Sequence, residues 1–357
     1  MTFLALPPSP ARITRAVALG ALLALAAPAA AQPLDPQAAA IRAAETVLVP
    51  GYAGLAVAAA DQRAAWNEAC EAPAPRDLAP LDEAFHAVAD AWAGVEAVRT
   101  GPIADAFRFE RMAFWPERRN AAARALAQLE GLDDEALLAP DRFVETSVAG
   151  QGLTALERLL FEEDSRTALA EGGDRQERLC AIGEAITAAL ARVTDEVAQA
   201  WRAETLPEWR SDADAARRAA SRLVTDLLTG LQAVEDLKLG LPLGESLDDA
   251  RATRAEMWRA GRSARQIALN LAGLEALVVA LAGDAETVAQ DTLRALAQAQ
   301  RLAREGPSDI GEAAADSDRR SRVLLLQGAV ATARSAAAAE IPPALGVVTG
   351  FNALDGD

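Results

Sequence analysis

Apolar residues recur every three or four positions along almost the whole chain, and that period decides most of what it can fold into. Leu81, Phe85, Val88, Trp92, Val95 and Val98 step by four, three, four, three and three. On a helix they line one face over about twenty residues. Thr100-Gly101-Pro102 ends the run, because proline has no N–H to donate and its ring blocks the preceding turn. The same reading predicts helices over Arg118–Leu129, after Trp115-Pro116, and over Leu153–Phe161, Glu177–Trp201 and Ala215–Leu239. Asp133, Asp134 and Glu135 suit the start of a further short helix. Ser263 is placed to cap a helix whose inner face is Ile267, Leu271, Leu274, Val278 and Leu281. Further helices are expected over Ala285–Arg304 and Asp318–Ala339, separated by Gly306-Pro307. Gly172-Gly173, the stretch Gly240 to Gly244 and Pro342-Pro343 read as breaks. No segment alternates apolar and polar residues for long, so strands are not expected.

The expected class is therefore all-α. Ala203–Asp214 carries a proline and a polar cluster between two long periodic runs, which marks it as a linker. On either side the rhythm is alike, and LTGLQAVEDLKLGLPLG faintly echoes AWAGVEAVRTGP. Two related antiparallel helical bundles follow as the expectation, over residues 32–202 and 215–357 with a linker at 203–214.

The first 31 residues read as a leader. Arg12 and Arg15 precede an apolar stretch, Ala16 to Ala27, too short to span a bilayer, and Ala29-Ala30-Ala31 is a cleavage signature that would leave Gln32 first. No cysteine follows to carry a lipid, and no later run reaches about 18 uninterrupted apolar residues. The expected location is the bacterial periplasm, with no transmembrane segment in the mature chain. Removing the leader takes two arginines and no acid, so the net charge goes from −17 to −19. Such a surface disfavours nucleic acid, whose phosphates need a basic partner, and anionic membranes. Cys70 and Cys180 make an even pair in an oxidising compartment, which favours a disulfide. A two-thiol metal site is the alternative, poorly supplied with other donors.

The chain has one histidine, His86, with Asp90 one turn on. The pair could share a metal or form an oriented base, or be an exposed histidine beside an acid. One histidine cannot build a histidine-rich zinc site, and H-E-x-x-H, G-x-S-x-G, the P-loop and the dinucleotide fingerprint are all absent. What remains is a set of carboxylates near helix breaks: Glu96, Glu157 and Glu256. Their oxygens suit hard cations such as Fe(III), Mg and Ca, and Arg99 and Arg111 could neutralise them. Glu157 falls at the edge of a leucine face, three residues after Thr154, and a half-buried carboxylate needs a partner or a ligand.

G-L-T-A-L-E at Gly152–Glu157 resembles the G-x-H-x-x-E signature of the imelysin family, exported proteins first described as insulin-cleaving peptidases. RFERMAFWPERRN (Arg108–Asn120), LKLGLPLG (Leu237–Gly244), EMWRAGRS (Glu256–Ser263) and GFNALDGD (Gly350–Asp357) resemble the family in the same order. The resemblance implies two related helical bundles and a site between helices that gathers Gly152, Thr154 and Glu157, with Glu256 and Ser263 in addition. Trp115 and Asn270 are expected to be structural. The family's histidine position is Thr154 here, and a neutral hydroxyl is a poor metal ligand. Three readings follow. One is a non-catalytic periplasmic protein that binds iron, another cation or a small ligand, with an envelope uptake or sensing partner. The second is a metallopeptidase with Glu157 as base. The third is an envelope protein that only docks a partner.

Overall fold

The computed structural model describes residues 34–348, together with Thr2; the expected leader and the GFNALDGD tail lie outside them. Every regular element among the described residues is a helix. The long ones are α1 (Pro36–Glu71), α2 (Ala79–Val95), α3 (Ala121–Glu130), α4 (Gly152–Phe161) and α5 (Asp174–Ala200). They are followed by α6 (Ala213–Gln232), α7 (Ser263–Ala282), α8 (Gln290–Glu305) and α9 (Arg320–Leu345). The residues read from the 3–4 period as one face, Leu81, Phe85, Val88, Trp92, Val95 and Val98, are all buried.

Helix α1 packs on helices from both halves of the sequence. Asp35 caps it by accepting the Gln37 N–H at 2.9 Å, and Pro36 fills a first-turn position that has no donor to lose. Its later part packs on α2 and α5, and its first turns pack on α6 and α7. There Arg42 donates to the carbonyls of Ala280 and Leu281, which end α7 without helical partners. Helices α7, α8 and α9 pack in succession, α6 closes against α9, and α4 lies on α5. A helix from the first half of the sequence thus packs against α2 and α5 at one end and α6 and α7 at the other.

The stretch read as a linker, 203–214, is helical up to Ser211 and bends at one residue. Asp212 is extended, and its carboxylate accepts the N–H groups of Asp214 and Ala215 to start α6. Two expected breaks also moved. After α6 the chain widens into a π-turn at Ala233–Leu239 and stays helical through Gly240–Leu243, ending at Gly244, whose φ of 60° suits glycine. Helix α9 runs through Pro342-Pro343 because Ile341 and Leu345 are buried and anchor the last turn despite the lost donors. By length and composition α1 and α7 are apolar enough to cross a membrane, yet both are packed within the helical body.

Cys70 at the end of α1 and Cys180 in α5 form the expected disulfide, with their Cα atoms 5.8 Å apart. Beside it the Trp66 indole donates to the Cys180 carbonyl at 3.0 Å, and its ring lies over Gly183. A Cβ at Gly183 would come within 1.8 Å of that ring, so only glycine lets the two helices approach this closely. The crosslink closes a loop of 110 residues. Reducing it, or replacing both cysteines by serine, is expected to lower unfolding free energy by roughly 4 kcal/mol in the chain-entropy picture. Urea unfolding with and without reductant checks this, and an unchanged midpoint would contradict it.

Candidate binding site

The glycine that opens α4 has a steric purpose. Gly152 has a φ of 74°, and a Cβ there would sit 2.3 Å from the Arg111 carbonyl oxygen. Its absence lets α4 start directly beneath the short Arg108–Met112 helix. Thr154 and Glu157 then follow one turn apart. The Glu157 carboxylate is buried and accepts the N–H groups of Arg259 at 2.9 Å and Ala260 at 3.1 Å. The Arg259 guanidinium lies 3.8 Å away. Burial pushes the Glu157 carboxyl above its usual range, while the two N–H bonds and the arginine charge oppose that. The partner that its position demanded is therefore the main chain of a loop about a hundred residues further on.

That loop and α4 border a pocket of about 400 Å³. Thr154, Glu157, Trp115, Trp258, Arg118 and Arg254 are among its lining residues. Arg259 also lines it, stacked on Trp258 at 4.4 Å and paired with Glu162 at 2.8 Å. Trp115, expected to be structural, is a wall of this pocket.

Glu256 does not line the pocket. Its Oε2 meets the Lys238 ammonium at 2.5 Å, and the same ammonium donates to both oxygens of Glu96 at 2.9 and 2.8 Å. Glu96 follows directly on α2, Lys238 lies in the π-turn after α6, and Glu256 lies in the loop before α7. Asn270 of α7 donates to Glu96 at 2.9 Å and Gln266, one turn earlier, at 3.3 Å. Two carboxylates thus share one ammonium in a dry place. Burial and the charge of Glu96 push Glu256 up to about 7. Burial acts on Glu96 in the same direction, but Lys238 and the two amides outweigh it and hold Glu96 low.

Gln266 carries the network on to Arg262, which donates to its Oε1 at 3.0 Å. Arg262 also bonds Asp90 at 2.8 Å and lies 3.1 Å from His86 Nδ1. Asp90 is further held by Arg265. His86 and Asp90 are therefore linked through arginine rather than poised as a metal pair. Burial and Arg262 lower the His86 pKa. Ser263 neither caps α7 nor faces the pocket: it is the first residue of the helix, and its Oγ accepts the Ile310 N–H at 3.0 Å. Arg99 stacks on Phe109 at 4.1 Å and lies on the rim of a different, larger groove. So Gly152, Thr154 and Glu157 come together, Glu96 and Glu256 come together at Lys238, and Ser263, His86, Asp90 and Arg99 lie elsewhere.

Lys238, Arg259, Arg262 and Gln266 were not singled out from the sequence. The signal for Lys238 was there, because it is the only lysine in a chain otherwise served by arginine.

A metal centre of the kind the peptidase reading implies does not fit these residues. Thr154 brings no anionic or imidazole donor. Glu157 is committed to two N–H groups and an arginine, and Glu96 and Glu256 already surround a cation. Among the described residues no three His, Cys, Asp or Glu side chains gather as a metal cluster would require.

Two outcomes test this geometry. Gly152→Ala is expected to cost about 2 kcal/mol or more, through a left-handed φ and a clash with main chain; a wild-type melting curve would contradict it. Glu256 binds its proton more tightly folded than unfolded. Its contribution is full below about pH 4.5 and fades as the pH rises through about 7. Glu256→Gln is expected to remove that fall, so the variant gains on wild type between pH 5 and pH 8 in urea midpoints. An unchanged difference would rule out the assignment.

The imelysin family profile (Peptidase_M75) matches residues 48–337. An imelysin-like protein from Psychrobacter arcticum 273-4 shares the fold, with a TM-score of 0.72 and 20% identity over 88% of this chain and 97% of that one. An iron-regulated protein A precursor from Parabacteroides distasonis ATCC 8503 superposes with a TM-score of 0.66 at 12% identity, again over 88% and 97% of the two chains. No curated protein matches the chain. With more than three quarters of its length matched by that profile, this chain belongs to the imelysin family.

Proposed function

We propose that the chain is an exported, non-hydrolytic binding protein that holds a small iron-bearing ligand in the pocket beside Glu157 and serves an envelope uptake or sensing partner. The observation that carries this reading is the lining of the pocket. Two tryptophans and the arginines Arg118, Arg254 and Arg259 line a cavity of about 400 Å³, while its two carboxylates, Glu157 and Glu117, already accept main-chain N–H groups. A bare cation would meet guanidinium groups there; an anionic chelate that carries iron within it would meet complementary charge and two flat apolar walls. The iron-regulated description of one structural relative supports the choice of metal. The leader-like N-terminus and the disulfide support export. Hydrolysis would need Glu157 free to take a proton from water, and it is held by main-chain donors instead.

The test is titration of the oxidised protein with Fe(III)–citrate, free citrate and Fe(II), read by tryptophan fluorescence. Saturable quenching by the ferric chelate is expected, with roughly tenfold or greater weakening in Arg254→Glu. No binding of any anionic chelate would sink the proposal. Peptide cleavage that is lost in Glu157→Ala would replace it with the hydrolytic reading.

A further inference from the structure

The Lys238 cluster has the chemistry of a hard-cation site whose cation is part of the chain. Three oxygens from two carboxylates surround one point, at 2.9 and 2.8 Å from Glu96 and 2.5 Å from Glu256. The Glu96 carboxylate is oriented from behind by the amides of Asn270 and Gln266, much as outer groups orient metal ligands. Two more oxygens are buried and without a hydrogen-bond partner: Glu256 Oε1 and Asn270 Oδ1. Both residues are 3% exposed. An orphaned carboxylate oxygen in a dry interior is costly, and an ammonium with three donors already used cannot satisfy it. A divalent ion would serve both carboxylates fully and cancel their charge, whereas the lysine cancels half of it.

The residue type supports this reading. The other ion pairs described above, at Glu157, Glu162 and Asp90, use arginine; here the chain uses its single lysine. A planar guanidinium needs width and a fork-shaped partner, while a compact ammonium fits the space of a bare ion. The π-turn at Ala233–Leu239 displaces the register of the chain at this position. The side chain reaches the cluster from there and is 4% exposed.

We propose that Glu96, Glu256 and Asn270 form a hard-cation site closed by the tethered ammonium of Lys238, and that removing this ammonium opens the site to one divalent ion. It is separate from the pocket beside Glu157 and does not depend on what that pocket holds. The test compares the wild-type chain, Lys238→Ala and Lys238→Ala/Glu96→Gln at pH 8, using calorimetric titration with Mn²⁺ and melting curves with and without millimolar Mn²⁺. Wild type is expected to show neither heat nor a melting shift. Lys238→Ala is expected to bind one Mn²⁺ and to gain about 5 °C or more on binding. The double variant is expected to lose that gain. Should Lys238→Ala be unfolded alone, Mn²⁺ is expected to restore its helical circular dichroism. A Lys238→Ala chain that folds without binding Mn²⁺, or that Mn²⁺ does not refold, overturns the proposal, as does Mn²⁺ binding of equal strength by wild type.

Discussion

One ammonium group holds four pieces of this protein in register. Lys238 bonds Glu96 where α2 ends and Glu256 in the loop before α7, and Asn270 and Gln266 of α7 complete the enclosure. Removing one partner of a buried ion pair costs far more than the pair contributes in net terms, because the other is left charged in a dry place. The cluster therefore acts mainly as a constraint on geometry. It fixes where Glu256 sits, and Glu256 begins the turn whose N–H groups Glu157 accepts. The pocket wall at Met257, Trp258 and Arg259 is positioned from both sides, by a cation behind it and a carboxylate beneath it.

Seen this way, the two glutamates of the imelysin resemblance have opposite roles. Glu157 is an acceptor for main chain, and its acidity matters less than its two lone pairs. Glu256 is a charge partner, and its neighbour Glu96 makes it reluctant to ionise. Both already have partners, main-chain N–H groups for Glu157 and the Lys238 ammonium for Glu256. The threonine at position 154 agrees with that division, since a neutral hydroxyl at the pocket edge can donate to a bound oxygen but adds nothing to a metal cage.

Much of the architecture was legible because burial imposes the helical period directly on the sequence. The Leu81–Val98 face, the helix opened by Gly152 and the cysteine pair could all be read without coordinates. The errors came where a local signal competed with a distant contact. Pro342-Pro343 reads as a stop, but Ile341 and Leu345 have buried sites to fill and the helix goes on. The 203–214 stretch reads as a linker, but its residues stay helical until Asp212 turns to cap α6. Ser263 looks like a cap, but its hydroxyl answers an N–H from Ile310, 47 residues on. The ion cluster was hidden for the same reason. Its members are separated by up to 174 residues, and spacing along one helix cannot show that Glu96 and Asn270 touch.

The double membership of α1 bears on how the chain becomes a protein at all. Its first turns leave the ribosome early, but the carbonyls that Arg42 caps arrive 238 and 239 residues later. Until then the first turns of an apolar helix lack the surface they pack on, so closing the structure waits on contacts of very long range, which form slowly. A chain handed across a membrane unfolded would meet this delay in full. Without residues 36–43, α6 and α7 would be left with an open groove where the start of α1 packs.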